Sequence, residues 1–473
     1  MRRRASNMNY LITDYGAFDS AEVLQTKAIQ DTIDNCFLTG GGVVIIPSGT
    51  YLTGGLRLRS NVTLYLESGA ILLGSRNPED YFFYMDDEIE PLTELDHAEF
   101  PYSSYTEVMD IFRQQGRESE YWEVYYQRAG RRWNNALIRA IRAQNIAIIG
   151  EEGSVIDGAN CYDAVGEEGY RGPHAITMHD CKNILLKGYA MKNSSNWGHN
   201  IVRSSNILCE SITVLGGHDG VHFTQCHNVD VINSEFHTGD DCIAGFANIN
   251  VTVSNCKVNS SCSGFRFAGT NVLIQNCHIW GPGQYAHRYA LSEEEKISGQ
   301  SSENASSAAH RKNMVSAITY YADYSFPIQE RPCNIIIKDC VIENTDRFLH
   351  YNYSGNEIWQ QQRPLGNIMF QNIKASGIKM PINAYGDKED PVTITMKNIE
   401  ISDSQEFKAE ALIHACYYEK IILEDIRLLN VPCKVLVKRW STDGEIVIKN
   451  IVSELTEETY VKEADKPFFS KTV

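Results

Sequence analysis

The chain has 473 residues, 43% of them hydrophobic, and a formal net charge of -17. That length accommodates two or three average domains or one large repetitive one, and the composition is that of an ordinary globular protein. The charge argues against nucleic acid or an acidic membrane as partner, because phosphate recognition needs clustered Lys and Arg; it also disfavours a long polyanionic substrate unless a local basic patch overrules it.

The N-terminus reads MRRRASNMNYLITDYGAF, three arginines with no apolar run behind them, and no later stretch approaches membrane-spanning length. A cytoplasmic location is expected, with a secreted form that has lost its leader as the alternative. Thr26–Phe37 carries apolar residues at helical spacing and is expected to cap the first rung of a strand-rich body, within an N-terminal cap of about residues 10–40. The segment GGGVVIIPSGTYLTG, with Val43–Ile46 as a buried strand, would open that body. Residues 92–134, rich in Tyr, Trp, Arg and Glu, interrupt the pattern, as do residues 284–330. Both are expected to be loop insertions that form walls of a cleft, because the repeating part of such a fold must stay uniform.

From residue 135 onward a period organises the chain. Asparagine followed by a β-branched residue recurs at Asn183-Ile184, Asn206-Ile207, Asn228-Val229, Asn250-Val251 and Asn271-Val272, at intervals of 23, 22, 22 and 21 residues. Each pair opens a short strand-like run. A unit of that size cannot bury its own apolar face, but stacked units can. Leucine-rich repeats lack support because their leucine frame is missing, and propeller blades are about twice as long. The expected fold is all-β, a single right-handed parallel β-helix over residues 1–473, with asparagines stacked at one corner and Ile, Val, Leu, Phe and Cys inside. The thirteen cysteines include no CxxC pair. They are expected to be small buried apolar side chains in a reducing compartment, with no metal site and no cofactor.

The period also aligns side chains across rungs. Trp197, Asp219, Asp241 and Ser263 follow at steps of 22 and should share one corner. Asn200, His222, Ala244 and Arg266 form a second column, pointing outward, while Val221, Ile243 and Phe265 point inward. Trp197, Asp219, Asp240, Asp241, His222 and Arg266 therefore gather in an expected solvent-facing patch, with His199 and Asn200 as further candidates for substrate binding. Rungs lie about 4.8 Å apart, so aspartates on adjacent rungs repel unless their charge is used or neutralised. Clustered carboxylates can divide into a protonated acid and an ionised base, the division that glycoside hydrolysis requires.

At these residues the sequence resembles the polygalacturonase family of glycoside hydrolases, family 28. TGDDCIA matches the family's Gly-Asp-Asp motif and HDGVHF resembles its Asn-Thr-Asp-Gly motif, with looser likeness from ITDYGAFDS through NIAIIGEEGSVIDG. The resemblance implies an inverting hydrolase in which Asp240 is the general acid and Asp219 and Asp241 hold and deprotonate the attacking water. Two departures accompany it. The family's Gly-His-Gly is replaced by Cys262-Ser263-Gly264, leaving His222 or Arg266 to tune the acid. Its Arg-Ile-Lys, which grips a substrate carboxylate, is replaced either by His350, Tyr351 and Asn352 or, counting rungs from Arg266, by His287 and Arg288 followed by Tyr289. Neither segment offers a bidentate clamp, so a neutral or deoxy sugar, or a uronate held differently, remains open.

The leading expectation is an exo-acting glycosidase on pectin-related or other plant or microbial oligosaccharides, with a homo-oligomer left open. A β-helix lyase or transglycosylase is the second alternative, with His222, Arg266 and Arg288 as basic groups. A non-catalytic carbohydrate-binding β-helix, stacking sugars on Trp197, Tyr351 and Tyr353, is the third.

Overall fold

The computed structural model describes residues 8–81, 135–167, 170–287, 311–322, 330–355, 360, 363–440 and 444–468. These fall into two compact units: one holds the described parts of 8–239 with 285–287 and Arg311, the other holds 240–284 and 312–468. Each unit is built of parallel strands coiled into right-handed β-helical rungs, as the period predicts.

The first unit shows the logic in one rung. Strands His199–Val202, Ser205–Glu210 and Thr213–Gly216 each pair in parallel with the strand one rung later, His199 against Val221, Ile207 against Val229 and Thr213 against Glu235. Alternate residues point inward, so Ile207, Cys209, Val229 and Val231 are buried while Leu208 and Asp230 are not. The helix Thr26–Leu38 packs on the first strands through Ile29, Thr32, Ile33 and Cys36, which supplies the expected cap. In the second unit the strands lengthen: Ile243–Ser254 pairs with Ser263–Gln275, which pairs in turn with both Met314–Tyr320 and Cys333–Lys338.

The corner asparagines explain why the repeat is written as it is. Asn145, Asn183, Asn206 and Asn228 all have φ between 56° and 58°, a left-handed conformation that Asn adopts more readily than other residues with a Cβ. Asn145 Nδ2 donates to Asn61 Oδ1 at 2.9 Å, Asn183 to Asn145 at 2.8 Å, Asn206 to Asn183 at 2.9 Å and Asn228 to Asn206 at 3.1 Å. The second unit repeats the device, Asn271 donating to Asn250 at 3.2 Å and Asn334 to Asn271 at 3.1 Å. All thirteen cysteines are free thiols and only Cys262 and Cys333 are not fully buried. Residues 92–134 lie outside the described residues, and so does most of 284–330.

Candidate active site

In the first unit the site begins with a stack of rings on successive rungs. The outward column runs Arg139, Thr177, Asn200, His222, since Thr177 pairs with both Arg139 and Asn200, and Asn200 with His222. The expected pairing of Asn200 with His222 is therefore present. Trp197 lies flat on His222, with ring centroids 3.9 Å apart and planes 5° from parallel, and His174 lies 5.6 Å from Trp197. On its other side His222 engages Asp219: Nδ1 is 3.0 Å from Oδ2. The indole fixes the imidazole and the imidazole fixes the carboxylate.

In the second unit Asp240 and Asp241 lead into the strand Ile243–Ser254. Asp241 Oδ1 accepts the Ser263 backbone N–H at 3.2 Å, and Arg266 Nη1 faces Asp241 Oδ2 at 3.5 Å. The Arg266 guanidinium lies 4.2 Å from the centroid of the Tyr321 ring and 5.7 Å from that of Phe246. These aromatic faces orient the guanidinium. Ser263, which occupies the place of the family histidine, contacts Thr319 Oγ1 through its hydroxyl at 3.1 Å. Gly239, just before the aspartates, belongs to the first unit. A Cβ there would lie 1.9 Å from the Ala286 carbonyl oxygen and 2.4 Å from that of Gly217, so the backbone excludes any side chain.

Several expectations need correction. The patch is not solvent-facing: Asp219, Asp240 and Asp241 are only 3%, 6% and 1% exposed. His199 is an interior residue, with Nε2 2.9 Å from Tyr189 Oη and Nδ1 3.0 Å from the Gly220 carbonyl. Strand alternation puts it on the face opposite Asn200. Tyr351 is interior for the same reason, its hydroxyl accepting the Leu365 N–H at 3.0 Å, and Tyr353 is buried too. Neither tyrosine offers a platform for sugar stacking. His287 does not occupy the rung after Arg266. That place belongs to Thr319, and His350 pairs with Thr319 one rung further on. The described strands stop at Trp280 and resume at Met314, so a fixed count of 22 from Arg266 lands between them. His287 is buried, with its N–H donating to the Arg311 carbonyl at 3.0 Å, and Arg288 lies outside the described residues.

His350 and Asn352 do face outward, into a recess of about 450 Å³ in the second unit that they share with Arg347, Lys408 and His414. Arg347, Lys408 and His414, and also His174, Thr319, Phe246 and Tyr321, are not among the residues that the sequence motifs mark. His174 could have been found 23 residues before Trp197. The others sit beyond the point where the period fails or lack a motif.

Residues 124–272 match the profile of glycosyl hydrolases family 28, a span that contains Trp197, Asp219, His222, Asp240, Asp241 and Arg266. Over that span, about a third of its length, the chain is similar to that family. Among curated proteins, it is 28% identical to an exo-poly-alpha-D-galacturonosidase of Dickeya chrysanthemi over 49% of this chain and 41% of that protein. A probable polygalacturonase of Vitis vinifera is 27% identical over 49% of this chain and 43% of that protein. The matched region thus spans about two fifths of these relatives' length. In fold, the chain resembles a family 28 exopolygalacturonase of Yersinia enterocolitica, with TM-score 0.63 at 18% identity, covering 94% of this chain and 78% of that one.

Proposed function

We propose that this protein is a glycosidase of the family 28 type, inverting and exo-acting, that cleaves a galacturonate-containing, pectin-related oligosaccharide. In this reading Asp240 protonates the leaving glycosidic oxygen. Asp219 and Asp241 hold a water, take one of its protons and direct its oxygen to the anomeric carbon as the C–O bond breaks. The observation that carries the reading is the Gly-Asp-Asp segment, 239–241, lying inside the family match while Asp219 and Asp241 are each held by a nitrogen donor. The exo-acting part of the proposal rests on sequence alone: residues 92–134 and 284–330 interrupt the period, and most of them lie outside the described residues.

Asp240→Asn keeps the shape of the side chain and removes the transferable proton. It is expected to lower kcat by about a hundredfold or more on oligogalacturonides, with KM little changed. Proton NMR of the parent's first product should show the inverted anomer. Full activity in the variant, a retained anomer, or an unsaturated product absorbing in the ultraviolet would each overturn the reading, the last in favour of a lyase.

A further inference from the structure

The recess in the second unit is chemically unlike the rest of this acidic chain. Its outward column continues from Ala244 and Arg266 through Thr319, His350, Asn383 and His414, each paired in register with the next. His350 is therefore three rungs from Ala244, about 14 Å along the stack, and the recess extends two rungs further. No carboxylate lines it, and it holds two cations. Arg347 is half-buried, with Nη1 donating to the Pro381 carbonyl at 2.9 Å and to Asn383 Oδ1 at 3.3 Å. Lys408 stands exposed at the rim. Among the described residues neither Arg347 nor Lys408 has an ion-pair partner, whereas neighbouring Lys379 and Lys438 are bridged to Glu406 and Glu410. A half-buried guanidinium whose hydrogen bonds go to neutral carbonyls, with Asp346 acting on it only at longer range, keeps much of its capacity for an anion.

The remaining walls suit a sugar. Asn383 Nδ2 lies 2.9 Å from His350 Nδ1, and Asn352 adds a second amide, so hydroxyl groups would meet both donors and acceptors. Phe468 lies parallel to His414, with centroids 4.3 Å apart and planes at 11°, and parallel to Tyr385 at 5.9 Å and 12°. This gives the recess an aromatic wall of the kind on which sugar rings pack. Burial pushes both His350 and His414 down to about 4, assisted by Arg347 beside each and by Lys438 beside His414. At neutral pH the histidines are thus hydrogen-bonding groups, and the positive charge is that of Arg347 and Lys408.

We propose that this recess is a second binding site, for a uronate residue, with Arg347 and Lys408 receiving the carboxylate and Asn352, Asn383 and His350 the hydroxyls. The choice of a sugar as carrier rests on the glycosidase reading; the preference for an anion does not. Isothermal titration of the full-length Asp240→Asn protein with digalacturonate tests it, against the neutral disaccharide and inorganic phosphate. The expected result is a second binding event that Arg347→Gln and Lys408→Ala each weaken about tenfold, that disappears for the neutral sugar, and that phosphate does not displace. Lys408→Ala alters only an exposed side chain, so misfolding cannot account for its effect. Unchanged affinity in both variants, equal binding of the neutral sugar, or equal binding of phosphate would overturn the assignment. An active Asp240→Asn enzyme with this second event intact would instead remove the hydrolase reading and leave the site.

Discussion

Asp219 is hydrogen-bonded to an imidazole and Asp241 faces a guanidinium, so two carboxylates of one sequence region meet different chemistry. Arg266 owes its direction to Tyr321 and Phe246, whose faces accept a flat guanidinium better than a compact ammonium. Arg266→Lys keeps the charge and loses that fit. It should lower kcat/KM on oligogalacturonides by about tenfold, and an unchanged value in steady-state assays would show that the aromatic clamp is irrelevant. His199 makes a different prediction. Its ordinary value is 6.5, and burial pushes it down to about 4 in the fold. Below pH 6.5 the unfolded chain takes up a proton that the native imidazole refuses. Stability is therefore complete above 6.5 and declines as pH falls to 4, by up to about 3 kcal/mol from this group. His350 and His414 act in the same direction. Urea midpoints of His199→Gln should fall less steeply than the parent's between pH 7 and 4.5; parallel slopes would refute the assignment. At this scale the sequence was legible where the period held. The pairing of Asn200 with His222 and the inward Val221, Ile243 and Phe265 followed from the count alone. His199 and Tyr351 were misplaced because the residue beside an outward one in a strand is inward, a parity that a motif does not display.

Among the elements, the corner asparagines tie rung to rung. Asn206 donates to Asn183 and accepts from Asn228 while holding φ at 57°. Glycine at this position would lose the two hydrogen bonds but keep the turn, whereas alanine would lose both and add left-handed strain of about 1–2 kcal/mol. Thermal or urea denaturation should therefore rank the parent above Asn206→Gly and Asn206→Gly above Asn206→Ala. Equal destabilisation by the two would mean that the conformation contributes nothing. These corners were the most legible elements in the sequence, since one residue type serves both the turn and the ladder. After residue 281 that signal weakened. The interval from Asn271 to Asn334 is 63 residues although the two stand on adjacent rungs, so the corner mark of the rung that contains Thr319 is far from where a count of 22 would put it.

For the whole molecule, the free thiols report on how completely the stacks close. Burial pushes Cys36 and Cys433 up to about 11 and Cys181, Cys226 and Cys416 up to about 12, so these sulfurs are both shielded and protonated at neutral pH. Reaction with a thiol-specific chromogenic reagent should modify about two groups in the native protein, Cys262 and Cys333, and all thirteen in denaturant. Rapid native labelling of the others would show that the interior opens far more readily than its packing implies. The net charge of -17 was a poor guide to the recess, because a sum over the chain is blind to Arg347 and Lys408 meeting in a recess that no carboxylate lines.

The asparagine ladder has one further consequence. In every link the later residue donates and the earlier accepts, so the amide dipoles of Asn61, Asn145, Asn183, Asn206 and Asn228 run in one direction, and those of Asn250, Asn271 and Asn334 do likewise. Each amide polarises its neighbour, much as peptide groups do along a helix. Such a file is vulnerable to chemical ageing. A single deamidation would turn a donor–acceptor into an acceptor only, set a carboxylate against the next amide oxygen, and break the polarised chain at that rung.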